Sequence, residues 1–266
     1  MKFEIITIFP DFFRGPLEHG IVRRAREAGI IEIKVHDLRA FTKDRHKTVD
    51  DRPFGGGEGM VFKPEPLFEC VESLGVAAKE SRDTSRESVA LLSAQGSLFQ
   101  QPVAEQLAKL ERMVLICGRY EGVDERVSEG LADREISIGD YILSGGELGA
   151  AVILDTVTRL LPGALGNEAS AQQESFTATA KISVEGPDST CTSGGLLDYP
   201  HYTRPAEFRG WPVPEPLMNG NHEAIRQWRR RKALEKTLRN RPDLIGRVEL
   251  SAEDKRLIAQ IERERN

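Results

Sequence analysis

Cysteine is scarce: Cys70, Cys117 and Cys191 are the only three in 266 residues. They stand apart and odd in number, with no CxxC and no Cys/His cluster at zinc spacing, so neither a disulfide framework nor a structural metal is expected. No stretch of about 18 apolar residues occurs, which excludes a membrane-spanning helix. The opening MKFEIITIFPDFF is apolar but carries Glu4 and then Pro10-Asp11, which break it too early for a signal peptide. Cytoplasm is therefore the expected compartment. GxGxxG after the first strand, GxxxxGK[ST] and GxSxG are also missing, so a dinucleotide fold, a P-loop and a serine-hydrolase elbow have no support. Positive charge is in deficit, with a formal net charge of -5. His19, His36, His46, His201 and His222 are scattered, and each reads as a surface or hydrogen-bonding residue rather than a catalyst.

What the chain does have is 39% hydrophobic and 30% charged residues, enough for a globular protein with a substantial core. Its densest feature is Gly118 to Gly149, GRYEGVDERVSEGLADREISIGDYILSGGELG. Met113–Cys117 reads as a buried strand that stops on Gly118, and Glu135–Ile138 as another that stops on Gly139. Glycine at a strand end lets the chain turn and lets a ligand approach the backbone. Ordinary βα turns also carry glycine, but two such loops at the C-terminal ends of strands favour a binding site, since that edge is where open α/β sheets hold ligands. After Asp140 to Ser144 and Gly145-Gly146, a helix is expected from Glu147 to Leu161. The charged candidates here are Arg119, Glu121, Asp124, Glu125 and, on the helix, Arg159, which also stands four residues after Asp155 and would make a helical ion pair.

Upstream, Phe3–Phe9 is expected as a strand, Leu17–Ala28 as a helix and Ile30–Val35 as a second strand, a βαβ unit that implies a parallel sheet. Leu38 to Pro66 is a long polar loop containing Gly55-Gly56-Gly57 and Gly59, with Phe54, Met60 and Phe62 available as anchors. Helices are expected over Leu67–Leu74 and Gln100–Leu110, and a strand over Val89–Leu92 leads into a third candidate ligand loop, Ser93–Gly96. The expected division is a βα domain over 1–165, a Ser/Thr/Ala/Gly-rich linker or lid over 166–195, and a helical domain over 196–266. Within the last, His222 to Arg241 carries a local balance of +6 despite the acidic whole, a basic helix of the kind that meets nucleic acid. Trp228 inside it is expected to face the core, with base stacking as the less favoured role. Ser251 and Asp254 are expected to cap a last helix ending near Glu264.

Four blocks, DDRPFGGGEGM (50–60), GRYEGVDERV (118–127), EISIGDYILSGGE (135–147) and LLDYPHYTRP (196–205), together resemble bacterial tRNA (guanine-N1)-methyltransferase of the SPOUT superfamily. The likeness runs from FPDFF at Phe9–Phe13 to HEAIRQWRR at His222–Arg230, nearly the whole chain. It implies a knotted parallel-sheet α/β domain that binds S-adenosylmethionine, a flexible linker, a small helical tRNA-binding domain and a homodimer. It also implies methylation of N1 of the guanosine at position 37 of tRNA, beside the anticodon. Magnesium, held by the tRNA or at the active site, is a further expectation. Carried over residue by residue, the cofactor side falls on Leu91, Leu92 and Ser93, on Gly118, Tyr120, Glu121 and Gly122, and on Ser137, Ile138, Gly139, Asp140, Tyr141, Ile142, Leu143, Gly145 and Gly146. Backbone groups of Ile138, Tyr141 and Leu143 are expected at the adenine edge. The substrate side falls on Glu121 and Asp198, with Arg229, Arg230 and Arg231 as phosphate contacts, and Arg159 offsets charge on the guanine. The family's first cofactor loop reads tyrosine-leucine-serine-proline where this chain has Leu91-Leu92-Ser93-Ala94, and the linker is longer than the family's. The family's general base is the aspartate of an aspartate-serine-phenylalanine run, which this chain splits between Glu174-Ser175-Phe176 and Asp188-Ser189. Asp188 is the first choice because it keeps the residue type and lies nearer to LLDYP in sequence. A related enzyme acting on ribosomal RNA and an RNA-binding protein without catalysis are the competing readings.

Overall fold

The computed structural model describes residues 1–166, 174–177 and 194–265. The chain divides into two compact units, Met1–Gly166 and Asn167–Asn266. Asp188, Cys191 and most of the expected 166–195 linker lie outside the described residues.

The first unit is built on a five-stranded parallel sheet in the order β2-β1-β6-β5-β7. Its strands are β1 (Lys2–Thr7), β2 (Glu32–Asp37), β5 (Glu87–Leu98), β6 (Arg112–Cys117) and β7 (Arg134–Ser137). A separate two-stranded hairpin, β3 (Asp50–Asp51) with β4 (Val61–Phe62), stands in the long polar loop. Alternation along the central strands feeds two cores. Phe3, Ile5, Ala90, Leu92, Met113 and Leu115 meet α1 (Gly20–Glu27), α3 (Gln101–Leu107) and α5 (Glu147–Thr158) on one face. Ile6, Val89, Leu91, Val114 and Ile116 meet α2 (Pro64–Ser73) and α4 (Glu125–Gly130) on the other. Both faces being covered is what makes these strands mostly apolar, with Glu4, Thr7 and Ser88 as buried polar exceptions.

Several expected boundaries move for identifiable reasons. β1 stops at Thr7 because Pro10 starts a short 3-10 turn, Pro10–Arg14. α5 ends at Thr158, short of the expected Leu161, ahead of Pro162. Ser93–Gly96 is not a free loop: β5 continues to Leu98, and its pairing with β7 shifts register between Leu92 and Ser97. Phe62 is a buried anchor of the long loop, whereas Phe54 stands fully exposed at its tip and anchors nothing within this unit.

The second unit contains a small hairpin, Glu207–Phe208 with Trp211–Pro212, the basic helix His222–Asn240 and a C-terminal helix Ala252–Arg265. Leu196, Leu234, Leu244 and Ile261 form its core. The cap expected from Ser251 and Asp254 is present in both directions: the Asp254 N–H donates to Ser251 Oγ at 3.0 Å, and the Ser251 N–H donates to Asp254 Oδ2 at 3.0 Å.

Candidate active site

At the C-terminal ends of β5, β6 and β7, a cavity of about 480 Å³ opens in the first unit. Three stretches line most of it, Leu91–Gln95, Gly118–Val123, and the run from Glu135 to Gly146 with the exception of Asp140 and Ser144, and Glu125, Ser128 and Gly149 complete the lining. The structure thus brings together the residues assigned to the cofactor from three separate parts of the sequence. Asp140 is the exception, being exposed and outside the lining.

The two glycine loops are tied to each other. The Gly146 N–H donates to the Gly118 carbonyl at 2.9 Å, and Arg119 bridges antiparallel to Gly145. The approach is close enough to demand glycine: a Cβ on Gly146 would stand 2.8 Å from Cys117 Cα and 2.9 Å from Leu92 Cβ. The polar groups of the third stretch are partly committed among themselves. The Tyr141 N–H donates to the Gly139 carbonyl at 2.9 Å, and the Tyr141 hydroxyl donates to the Ile138 carbonyl at 3.1 Å. Of the backbone groups expected at an adenine edge, the Ile138 carbonyl and the Tyr141 N–H therefore have partners inside the loop.

Sequence reasoning missed what stands behind the first glycine loop. The β3–β4 hairpin grips it: the Glu121 N–H donates to the Met60 carbonyl at 3.0 Å, the Phe62 N–H to the Gly122 carbonyl at 3.0 Å, and the Asp124 N–H to the Phe62 carbonyl at 2.9 Å. Gly59, at φ +89°, lets the Glu121 side chain lie where a Cβ would be. The Tyr120 ring meets Phe62 edge-on at 5.7 Å. So the 50–60 block serves to hold Tyr120, Glu121 and Gly122 at the cavity. Asp124 in turn accepts two hydrogen bonds from the Arg126 guanidinium at 2.7 Å each, and that contact holds its carboxyl below the usual aspartate value.

Glu147 was also missed, because its partners are distant in sequence. It is 1% exposed, accepts from Thr7 Oγ1 at 2.7 Å, and accepts from Arg119 Nε at 3.1 Å. Arg119 Cζ lies 4.4 Å from the centre of the Phe9 ring. An arginine that lines the cavity is thereby fixed by a buried acid and an aromatic face. The neighbouring Cys117 is fully buried, which pushes its thiol well above the ordinary value and leaves it inert. Arg159 follows the last turn of α5, half-buried, and does not line the cavity.

In the second unit, Glu174 to Thr177 folds back on the LLDYP segment. The Asp198 N–H donates to Ser175 Oγ at 2.9 Å, the Phe176 N–H to the Leu196 carbonyl at 3.0 Å, and the Gly195 N–H to the Thr177 carbonyl at 2.9 Å. Asp198 also accepts from His201 Nε2 at 2.8 Å. The three consecutive arginines diverge in role. Arg230 donates to Asp254 at 2.6 and 2.9 Å, in a mostly buried pair. Arg231 is paired with Glu235 and Glu264. Arg229 lies over the Tyr199 ring at 4.8 Å. Trp228 is half-buried against Tyr202 and is not part of the aliphatic core.

No helix of the described residues is long and apolar enough to cross a membrane. Among the described residues no three of His, Cys, Asp and Glu converge as a metal-holding group.

A family model described as tRNA (Guanine-1)-methyltransferase TrmD matches residues 1–247. A tRNA (guanine-N(1)-)-methyltransferase of Koribacter versatilis is 67% identical over 261 residues, which is 98% of this chain and 98% of the relative. The protein of the same name from Moorella thermoacetica is 51% identical, covering 99% of this chain and 97% of the relative. That of Dictyoglomus turgidum is 49% identical, with 99% and 98% covered.

Proposed function

The chain belongs to the tRNA (guanine-1)-methyltransferase family of the SPOUT superfamily, and on that premise we propose that it methylates N1 of guanosine at position 37 of tRNA, beside the anticodon, in the cytoplasm. The observation that carries the cofactor assignment is the cavity at the ends of β5, β6 and β7, where glycine loops bring backbone within reach of a ligand. S-adenosylmethionine would supply an electrophilic methyl group there. The residues present fit such a group. Leu91 and Leu92 give an apolar wall, Gly118 and Gly146 let the two loops close on one another and bring their main chain to the cavity, and the Ile138 carbonyl would accept from a ligand in place of the exposed Tyr141 hydroxyl.

Guanine N1 carries a proton at neutral pH and is a poor nucleophile until the proton leaves. A carboxylate of this chain takes that proton, Arg159 offsets the negative charge that builds on O6, and Glu121 reads the base edge. For the carboxylate, Glu174 replaces Asp188 as the preferred choice. The longer linker separates Glu174 from LLDYP in sequence, but the hydrogen bonds that the Asp198 N–H gives to Ser175 and the Phe176 N–H gives to Leu196 keep its turn beside that segment in space. Arg229 and Arg231 remain proposed phosphate contacts. Arg230 is proposed chiefly as a support for the helix, since its pair with Asp254 is mostly buried, whereas the acids that hold Arg231 are more exposed and can give way to phosphate.

A knotted chain path, a flexible linker and a homodimer belong to the same reading. Magnesium is proposed as an ion carried by the tRNA. Transfer of a tritiated methyl group to tRNA transcripts with G or A at position 37 tests the activity: incorporation is expected only with G. Equal incorporation into both would overturn the assignment of the base, and none into any RNA would favour a binding protein.

A further inference from the structure

The second unit holds a cavity of about 180 Å³ that methyl transfer leaves unused, lined by Tyr199, His201, Tyr202, Trp228 and Arg229 among others. Its composition differs from that of a core. Trp228 contributes nothing to the aliphatic cluster around Leu196 and Leu234, and meets instead the ring of Tyr202 at 6.0 Å, itself 49% exposed. The Tyr199 and His201 rings lie 4.7 Å apart, and His201 is held by Asp198 at 2.8 Å. Over Tyr199 stands the Arg229 guanidinium at 4.8 Å, and its Nε is buried with no hydrogen-bond partner among the described residues. A buried guanidinium N–H without an acceptor is rare, and its natural complement is an anionic oxygen. Aromatic faces beside an arginine whose donor is unfilled are the means by which proteins hold an unstacked nucleotide: the base stacks and the phosphate takes the charge.

We propose that this cavity is a second RNA subsite that takes one unstacked nucleotide of the single-stranded loop carrying the target guanosine, its base against Trp228 and Tyr202 and its phosphate accepting from the Arg229 guanidinium. The proposal rests on the reading of tRNA as substrate, but its test does not require methyl transfer. Trp211 and Trp228 are the only tryptophans, so a Trp211→Phe background makes Trp228 the sole reporter. In the full-length protein, Trp228 emission is expected to be quenched saturably by a heptanucleotide of the anticodon-loop sequence and by intact tRNA, and to be unaffected by equal inorganic phosphate. Arg229→Ala is expected to weaken the heptanucleotide about tenfold. Trp228→Ala is expected to raise KM for tRNA by about tenfold to a hundredfold, the range found for loss of one base stack, with a much smaller change in kcat, and Trp228→Phe to restore most of it. Emission unchanged while filter retention shows the tRNA bound, or Trp228→Ala with unaltered KM, overturns the subsite. A protein that is quenched by RNA but transfers no methyl group would sink the methyl-transfer reading alone, and one that methylates tRNA with Trp228 unquenched would sink the subsite alone.

Discussion

The strand-end cavity of the first unit and the basic helix of the second carry their polarity in different ways. Around the cavity the arginine is tied to a buried acid, Arg119 to Glu147, and glycine, aliphatic side chain and main chain make up much of the lining, with Glu121, Glu125 and Glu135 as its acids. Along the basic helix the opposite holds. Side chains project and find acids of their own unit, Arg230 with Asp254 and Arg231 with Glu264, while Arg229 is left over a ring. A site made of main chain depends on close approach and is broken by added atoms. A surface made of side chains depends on charge and contact and is broken by removed ones.

If side chains of the second unit do the chemistry, the largest effect on rate with the least effect on folding should fall there. Glu174→Gln is expected to lower single-turnover methyl transfer at saturating tRNA and cofactor by about a thousandfold, within the usual range for a general base. Asp188→Asn is expected to keep the rate within a few fold. The reverse pattern would return the role to Asp188, and two unaffected variants would move the base out of the second unit altogether.

The corresponding insult to the first unit is an added methyl group. Gly146→Ala would press a Cβ against Cys117 Cα and Leu92 Cβ, atoms that cannot rotate away. Overpacking of this kind costs about 2–3 kcal/mol. Thermal unfolding should register that loss, and calorimetric titration should show cofactor affinity falling at least tenfold, or about 1.4 kcal/mol. Normal stability and affinity would mean that the loops yield, and that the main-chain account of the cavity is too rigid.

Much of this contrast was legible in the sequence, though unevenly. Met113–Cys117 and Glu135–Ile138 announced buried strands because both sheet faces are covered, and Ser251 with Asp254 announced a helix start because a capping box is local. The pattern of glycines located the cavity. What stayed hidden depends on contacts between remote positions. Glu147 was only the first residue of an expected helix in the sequence, and its partner Thr7 stands 140 residues away. The 50–60 block read as part of a long polar loop and as a mark of the family, and that its hairpin holds Glu121 was visible only in the structure. Arg230 and Arg231 looked like free cations because their acids, Asp254 and Glu264, sit on another helix. Periodicity reports which face is buried and says nothing of which acid waits there.

Acid should loosen the second unit in a way that one residue controls. Burial opposes ionisation of Asp254, but the hydrogen bonds from Arg230 and Ser251 outweigh it, and the net result is a carboxyl below its ordinary value in the folded state. A depressed folded value means that the stabilisation is present above the unfolded value of about 3.9 and is lost as pH falls through the folded one. Both tryptophans belong to this unit, so their fluorescence in urea follows its unfolding in the full-length protein. Asp254→Asn is expected to cost about 2 kcal/mol at pH 7, since the mostly buried Arg230 loses the charge of Asp254. The difference from the unsubstituted protein should shrink below pH 4. A constant difference across that range would assign the effect to shape and not to charge.

The smallest expected effect tests the main-chain account most directly. Ile142 belongs to the cavity lining, yet its side chain is 84% exposed, so in the free protein it buries little that truncation could remove. If the stretch from Ser137 to Gly146 works through its backbone, Ile142→Ala preserves every group that matters. Cofactor affinity should then change by less than about threefold, under 0.7 kcal/mol, and stability should change by no more than the half kilocalorie usual for a surface position. Tyr141→Phe provides the paired measurement, because it removes only the hydroxyl that donates to the Ile138 carbonyl. That acceptor would then be permanently open to a ligand, and affinity should rise slightly. A large loss with Ile142→Ala would show that the side chain folds over the ligand once it is bound. The cavity would then share the side-chain dependence of the basic helix, and the contrast between the two units would fail at the point where it was drawn.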